Sequence, residues 1–298
     1  MPLVSVVMPT FNSGLFVREA IHSLIEQTYP RFELIVVDGG STDDTLSIVD
    51  SYMGDDDLRV IELAPGLGIP RALNEGMAAA KGQFIARMDA DDIAYPNRLT
   101  EQVRFLTSTA DVGLVGSGVD EFWKGSGVGR SPLCHDRIIN AYLTSNPFYH
   151  PTIMFRRTLF DVGHYRYDES QVCDEDYELW GRLLTRTKAA NIDASLLRYR
   201  IHAQNAQWDP RKHRFKARAI KGFCAFYGVD DAALVEALVE FQCSNFIRIG
   251  GYEALRGYAE RAEKLGVPRL GWIHDALLRE PDFERFLAWF RRAKGWAI

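Results

Sequence analysis

Over the first hundred residues, short β-branched apolar runs alternate with amphipathic helical patterns, and that alternation constrains the chain more than any other feature. Parallel strands cannot be joined by a tight turn; each needs a crossover, usually a helix, before the next strand can lie beside it. Leu3 to Met8, Phe32 to Val37, Leu58 to Leu63 and Phe84 to Met88 read as strands. Between them Val17, Ile21, Leu24 and Thr28 recur at helical spacing, Thr42 to Met53 form a second helix, and Pro70 to Ala80 a third. The unit is βαβαβαβ, the sequence form of an α/β fold with a mostly parallel sheet and flanking helices.

Beyond about residue 110 the order becomes mixed. Val112 to Val119 and Thr152 to Arg156 read as strands, Gly125, Gly127 and Gly129 mark a loop between them, and a helix is expected from Asp174 to Thr187. Leu196 to Ile201 is the last strand; after Asn205 only helical periodicity remains, as in Leu234, Leu238 and Phe241 and again in Phe283, Phe286, Leu287 and Phe290. A boundary near Ala206 divides the chain into residues 1–205, with halves 1–110 and 111–205, and a helical region 206–298.

A chain of 298 residues with 47% hydrophobic and 25% charged residues buries a sizeable core, which excludes disorder and small stapled scaffolds. A formal charge of −5 argues against a nucleic-acid binder. Cys134, Cys173, Cys224 and Cys243 contain no C-x-x-C pair, so neither a zinc site nor a disulfide framework is indicated, and a reducing compartment fits. The start, Met1-Pro2-Leu3-Val4-Ser5, lacks a basic segment followed by a long apolar one, and no run approaches the roughly eighteen apolar residues of a membrane span. The expected location is the cytoplasm.

Carboxylates gather where strands end. In Val37-Asp38-Gly39-Gly40-Ser41-Thr42-Asp43-Asp44 a strand stops at an acid and turns on two glycines into a capped helix. A turn with an N-cap explains Gly40, Ser41 and Asp44; only Asp38 exceeds it. Directly after the fourth strand stands Met88-Asp89-Ala90-Asp91-Asp92, three carboxylates in four positions that repel one another unless a cation neutralises them. A surface acidic loop is one reading, a hard divalent cation carrying a diphosphate the other. Glu175 and Asp176 open the Asp174 helix, where acids complement the helix dipole or, held rigidly, serve as a general base. In Tyr199-Arg200-Ile201-His202 alternation puts Arg200 and His202 on one face, and His202 is either a packed residue or a metal ligand.

In this order the motifs resemble family 2 glycosyltransferases of the GT-A fold, of the type that builds bacterial cell-surface polysaccharide or lipid-linked glycan. The resemblance covers roughly residues 3 to 205. It rests on Met8-Pro9-Thr10-Phe11-Asn12, Ser23-Leu24-Ile25-Glu26-Gln27-Thr28-Tyr29-Pro30, the turn from Asp38 to Thr45, Ala72-Leu73-Asn74-Glu75-Gly76, Ala86-Arg87-Met88-Asp89-Ala90-Asp91-Asp92, His150-Pro151-Thr152, Glu175-Asp176-Tyr177-Glu178-Leu179-Trp180, and Tyr199-Arg200-Ile201-His202. It implies a Rossmann-like nucleotide-binding half, 1–110, an acceptor half, 111–205, and a helical extension. It further implies an inverting, metal-dependent transfer of a sugar from a nucleotide-diphosphate donor, expected to be a UDP-sugar, to a hydroxyl of a glycan or lipid-linked glycan. By that resemblance Pro9, Thr10, Phe11, Asn12 and Ala90 line the nucleoside pocket and Asp38 contacts base or ribose. Asp89 faces the ribose or an outer-sphere water and is counted with Asp91 and His202 at the Mn²⁺ or Mg²⁺ site, and Asp176 is the catalytic base with Glu175 as its neighbour and substitute. Arg71 is added as a nucleotide contact on charge grounds. Where the family's commonest turn has a second carboxylate this chain has Gly39, which bears on the nucleotide's identity.

Two rivals share part of this pattern. A dinucleotide-binding oxidoreductase needs Gly-x-Gly-x-x-Gly after its first strand, where this chain has Pro9-Thr10-Phe11-Asn12-Ser13-Gly14; a sugar-nucleotide pyrophosphorylase needs a basic, glycine-rich loop there. A non-catalytic sugar-nucleotide or glycan-binding module remains as the alternative. In the last third, Arg211, Lys212, His213, Arg214, Lys216, Arg218 and Lys221 and the terminal Arg285 to Trp296 are basic and aromatic. That composition suits either a solvated face over a helical core or peripheral docking on an anionic membrane, at the inner face of the cell membrane.

Overall fold

The computed structural model describes residues 1–298 except 53, 55–56, 124–125, 162–164, 172, 203–211, 227–231, 245–248, 266–269, 271–273, 280–284 and 286–298. The expected boundary at Ala206, Gly125, Arg211 and the terminal basic residues other than Arg285 therefore lie outside the described residues.

The first four strands, β1 (Val4–Thr10), β2 (Phe32–Asp38), β3 (Leu58–Glu62) and β4 (Phe84–Arg87), are parallel neighbours in the order β3-β2-β1-β4. Crossovers run through α1 (Val17–Ile25), α2 (Thr45–Asp50) and α3 (Gly68–Ala79), as the alternation predicts. Every residue of β1 is buried, because the sheet is covered on both faces. Alternate side chains go to opposite sides: Val6 and Met8 meet Ile21 and Leu24 of α1, while Val7 meets Ala72, Leu73 and Met77 of α3.

The sheet continues beyond β4 with β8 (Met154–Arg156), β6 (Val112–Trp123), β9 (Lys188–Ile201) and β5 (Ile93–Ala94). β8 is antiparallel to both β4 and β6, β6 and β9 run parallel, and β5 is antiparallel to β9. Two helices lie outside the sequence expectations: α4 (Arg98–Ser108), which buries Leu99, Val103 and Leu106 on the α1 side, and α5 (His135–Tyr142). A short α6 (Arg157–Asp161) follows β8, and α7 (Glu175–Leu183) ends four residues before the expected Thr187, in a turn where the Leu183 carbonyl accepts from both the Arg186 and Thr187 N–H groups. β9 begins at Lys188, well before the expected Leu196, since pairing with β6 through a bulged register extends a stretch whose own residues lack a β-branched run. Gly127 and Gly129, expected in a loop, instead belong to β7 (Gly127–Gly129), an antiparallel partner of β6.

The C-terminal region is helical: α8 (Lys212–Phe226), α9 (Ala232–Ser244), α10 (Ile249–Leu265) and α11 (His274–Arg279). Ile220, Phe223, Leu234, Leu238, Leu255 and Leu277 join one core with Tyr142, Tyr177 and Trp180. Among the described residues no helix is long and apolar enough to cross a membrane.

Candidate active site

β1 pairs β2 on one side and β4 on the other, so the chain leaves the sheet in opposite directions at its centre, where parallel sheets bind ligands. A cavity of about 450 Å³ opens there. Pro9, Thr10, Phe11, Asn12, Asp89, Ala90, Asp91 and His202, all expected at the site, line it. Asn12 is held at φ 49°, with its N–H donating to Ser41 Oγ at 2.9 Å and its Oδ1 accepting from Thr42 N at 2.9 Å.

Asp38 and Arg71 do not reach the cavity. Asp38 is fully buried and spent on its own turn: Oδ2 accepts from Gly40 N at 2.9 Å and Ser41 N at 2.8 Å, and Oδ1 from Ser41 Oγ at 2.6 Å and Thr10 Oγ1 at 3.0 Å. These four hydrogen bonds fix the turn after β2. Arg71 pairs with Glu75 at 2.5 Å and Glu169 at 3.1 Å.

The acidic cluster sits where β4 ends. One carboxylate oxygen each from Asp89, Asp91 and Asp92 lies within 4.8 Å of the others. Asp89 pairs with the buried guanidinium of Arg87, and Asp91 Oδ2 lies 2.8 Å from His202 Nε2. Asp92 accepts from the Arg200 N–H at 2.9 Å through Oδ1, whereas its buried Oδ2 has no hydrogen-bond partner. Burial, then the charges of Asp89 and Asp91, push the Asp92 carboxyl well above the ordinary range; burial raises Asp89 against the opposing pull of Arg87. Three crowded carboxyls and an orphaned buried oxygen could hold a hard divalent cation, with Asp92 joining Asp89 and Asp91 in that group.

Asp176 and Glu175 stand in the first turn of α7 and are not among the residues that line the cavity. Asn146 Nδ2 donates to Asp176 Oδ2 at 2.6 Å, and the Tyr177 N–H to Oδ1 at 2.7 Å. Burial raises the Asp176 carboxyl, with nearby Asp174 adding to the rise and the Asn146 bond opposing it. Burial, and then the charge of Asp176, push Glu175 up to about 7. Its Oε1 is 4.0 Å from His150 Nδ1, and His150 Nε2 is 2.8 Å from Tyr167 OH. Burial and the neighbouring Arg87 keep the His150 ring neutral by holding its pKa well below the ordinary value. The charge of Arg87, which is paired with Asp89, also favours the ionised forms of Glu175 and Asp176.

Arg87 and Arg200 carry structural weight that sequence reasoning missed. Arg200 donates through Nε to the Asp91 carbonyl at 2.7 Å, pairs with Glu19, and is stacked among Phe16, Phe122 and Trp123 at 4.6, 4.5 and 5.0 Å. Strand alternation had placed it beside His202; its partners on α1 and β6 have no sequence signal.

Residues 5–163, more than half of the 298, match the family described as Glycosyl transferase family 2. The chain is 31% identical over 213 residues to an uncharacterized glycosyltransferase of Haemophilus influenzae, covering 67% of this chain and 66% of that one. It is 29% identical over 256 residues to the O-antigen biosynthesis glycosyltransferase WbnJ of Escherichia coli, covering 82% and 92%. Among solved structures, residues 1–349 of S. aureus TarS in complex with UDP-GlcNAc superpose with a TM-score of 0.66 at 20% identity, over 99% of this chain and 93% of that one, a likeness of fold. With strand-end carboxylates standing on that fold and the family's pattern running through them, this chain belongs to glycosyltransferase family 2.

Proposed function

We propose that this glycosyltransferase moves a sugar, with inversion, from a UDP-sugar donor to a hydroxyl of a glycan or lipid-linked glycan acceptor, in the cytoplasm. The carrying observation is the crowding of the Asp89, Asp91 and Asp92 carboxylates after β4, with Asp89 and Asp91 in the wall of the strand-end cavity. UDP-GlcNAc bound to the TarS structure supports the donor class, and the O-antigen role of the E. coli relative supports the acceptor class.

Asp91, Asp89 and His202, with the orphaned oxygen of Asp92, would hold Mn²⁺ or Mg²⁺. When bound, the ion neutralises charge developing on the leaving diphosphate. Asp176 takes the proton of the acceptor hydroxyl: two hydrogen bonds fix its orientation, and its raised pKa makes it a better proton acceptor than a free carboxylate. Arg87 holds Asp89 and balances the acids around it. The acceptor oxygen attacks from the face opposite the diphosphate, so one displacement inverts the anomeric carbon, and no separate nucleophile is required.

Titration of UDP with and without Mn²⁺, followed by turnover of a nucleotide-sugar panel, tests this. Asp91→Ala is expected to lose metal-dependent UDP binding, and Asp176→Asn to keep binding and lose transfer. Binding of NAD without binding of UDP sinks the reading. Peripheral contact with an anionic membrane through the basic C-terminal residues belongs to the same proposal; pelleting with anionic liposomes, with and without residues 282–298, checks it, and salt-insensitive behaviour unchanged by the deletion rejects it.

A further inference from the structure

One cation of the basic run in the last third is turned inward. The Lys216 side chain, on α8, is 12% exposed; its Nζ lies 3.8 Å from Asp174 Oδ1 and 5.4 Å from the centre of the Tyr177 ring. A lysine taken that far out of water is costly unless it is paired, and here a carboxylate and an aromatic face supply the pairing. Asp174 is the residue before α7 and stands at φ 54°, ψ 28°. That left-handed conformation costs an L side chain energy and persists only where the surroundings enforce it; aspartate and asparagine accept it most readily. From there the chain turns straight into helix, the Asp174 carbonyl accepting the Glu178 N–H at 3.1 Å.

Lys216 thus grips the entry to α7 at two points, and Asp176 lies between them in sequence. Tyr177 is a fixed platform: it is buried, stacks on Tyr142 at 4.3 Å, and donates through its OH to the Tyr142 carbonyl at 2.6 Å. Its own N–H donates to Asp176 Oδ1. Lys216 lies beyond residues 5–163, which match the family, so the grip comes from the helical extension. Resting on Asp176 as the base proposed above, we infer that Lys216 is a positioning residue for the transfer: it holds and offsets Asp174, and so fixes the first turn of α7 and the field around the Asp176 carboxylate. Burial raises the Asp176 carboxyl and the charge of Asp174 adds to the rise against the Asn146 bond; burial, Asp176 and then Asp174 act on Glu175 in the same direction. Arg87 and Asp89 at the end of β4, Tyr142 of α5, and Tyr167 are the further titratable groups whose charges interact with Asp176. Without the ammonium the charge of Asp174 bears harder on Asp176; without both charges it does not.

The test uses the full chain as wild type, Lys216→Met, Asp174→Asn and the double variant. Methionine keeps an apolar stem over Tyr177 and asparagine tolerates the left-handed backbone, so each removes a charge and spares the packing. The Asp176 carboxyl is titrated in EDTA by carbon-13 NMR of aspartate-labelled protein, its signal being the one absent from Asp176→Asn. Release of UDP from UDP-GlcNAc with Mn²⁺ is followed over the same pH range. Lys216→Met should move the titration up by about half a pH unit and carry the acidic limb of kcat/KM with it, about a threefold loss of rate on that limb, with UDP affinity unchanged. Asp174→Asn should move the titration down, and the double variant should titrate at or below wild type even where its melting temperature is lowered. A titration unmoved by Lys216→Met, or moved alike in the single and double variants, overturns the inference, because Lys216 would then serve packing alone; a rise in Asp174→Asn overturns it too. If the carboxyl responds as expected and the limb does not follow, the assignment of Asp176 as base fails instead. If wild type releases no UDP at any pH, the donor reading fails, and the titration still decides the role of Lys216.

Discussion

Glu175 and Asp176 are sequence neighbours with different environments, and the difference is open to measurement. Glu175 is held up to about 7 by burial and by the charge beside it, so the folded protein keeps a proton there that the unfolded chain releases near the ordinary value. The stabilisation is therefore complete in acid and is lost as pH rises through about 7. Glu175→Gln removes the titration: in EDTA, its stability relative to wild type should rise by up to about 3 kcal/mol between pH 4.5 and 8, seen in denaturant unfolding at a series of pH values. The acidic cluster carries the opposite linkage to a cation. Protons on Asp89 and Asp92 compete with metal, so the rise in melting temperature produced by Mn²⁺ should shrink between pH 7.5 and pH 5 and vanish in Asp91→Ala. The sequence made the crowding of Asp89, Asp91 and Asp92 visible, because three acids in four positions demand neutralisation. It could not show that the Asp38 carboxylate would be consumed by Thr10, Gly40 and Ser41, because those hydrogen bonds depend on the turn closing over β1.

At the scale of elements, α3 and β9 show how the site is held. α3 approaches the sheet closely enough that a Cβ on Gly76 would stand 2.4 Å from Val7 Cγ1 and 3.1 Å from Val37 Cγ2. Gly76→Ala gains about 1 kcal/mol of helix propensity yet should destabilise by about 1 to 3 kcal/mol overall, the cost of overpacking, measured by urea denaturation. β9 delivers Arg200 and His202 to the cluster formed after β4. Period-2 alternation made the end of β9 legible, whereas its first half was hidden because parallel pairing with β6 stabilises residues without strand propensity of their own.

Across the whole molecule, the helical third is part of the transferase core. Tyr142 and Tyr177 stack at 4.3 Å and exchange hydrogen bonds with each other's carbonyls, and Phe223 of α8 packs on Tyr142 at 4.5 Å. Lys216 lies 3.8 Å from Asp174 and over the Tyr177 ring, and Arg218 lies 3.2 Å from Asp168. Two cations of the run that suggested a membrane face are therefore turned onto the segment that carries Asp176. Phe223→Ala should cost about 3 to 4 kcal/mol of stability by calorimetry or denaturation, and should lower transferase activity by loosening α7. A chain ending at residue 205 would expose Tyr142 and Tyr177, and is expected to aggregate or to bind a hydrophobic dye.

The sequence by itself determined the parallel βαβ half, the helical end and the ordered set of acids at strand ends, because hydrophobic period and turn chemistry are local properties. Only the tertiary structure decided which acids share a field, that Asp38 and Arg71 are spent on the scaffold, and that Arg87 and Arg200 tie the site together. Those outcomes depend on burial and on partners far apart in the chain, as with Arg200 and Glu19, and no local pattern encodes a desolvation cost or names the group that offsets it.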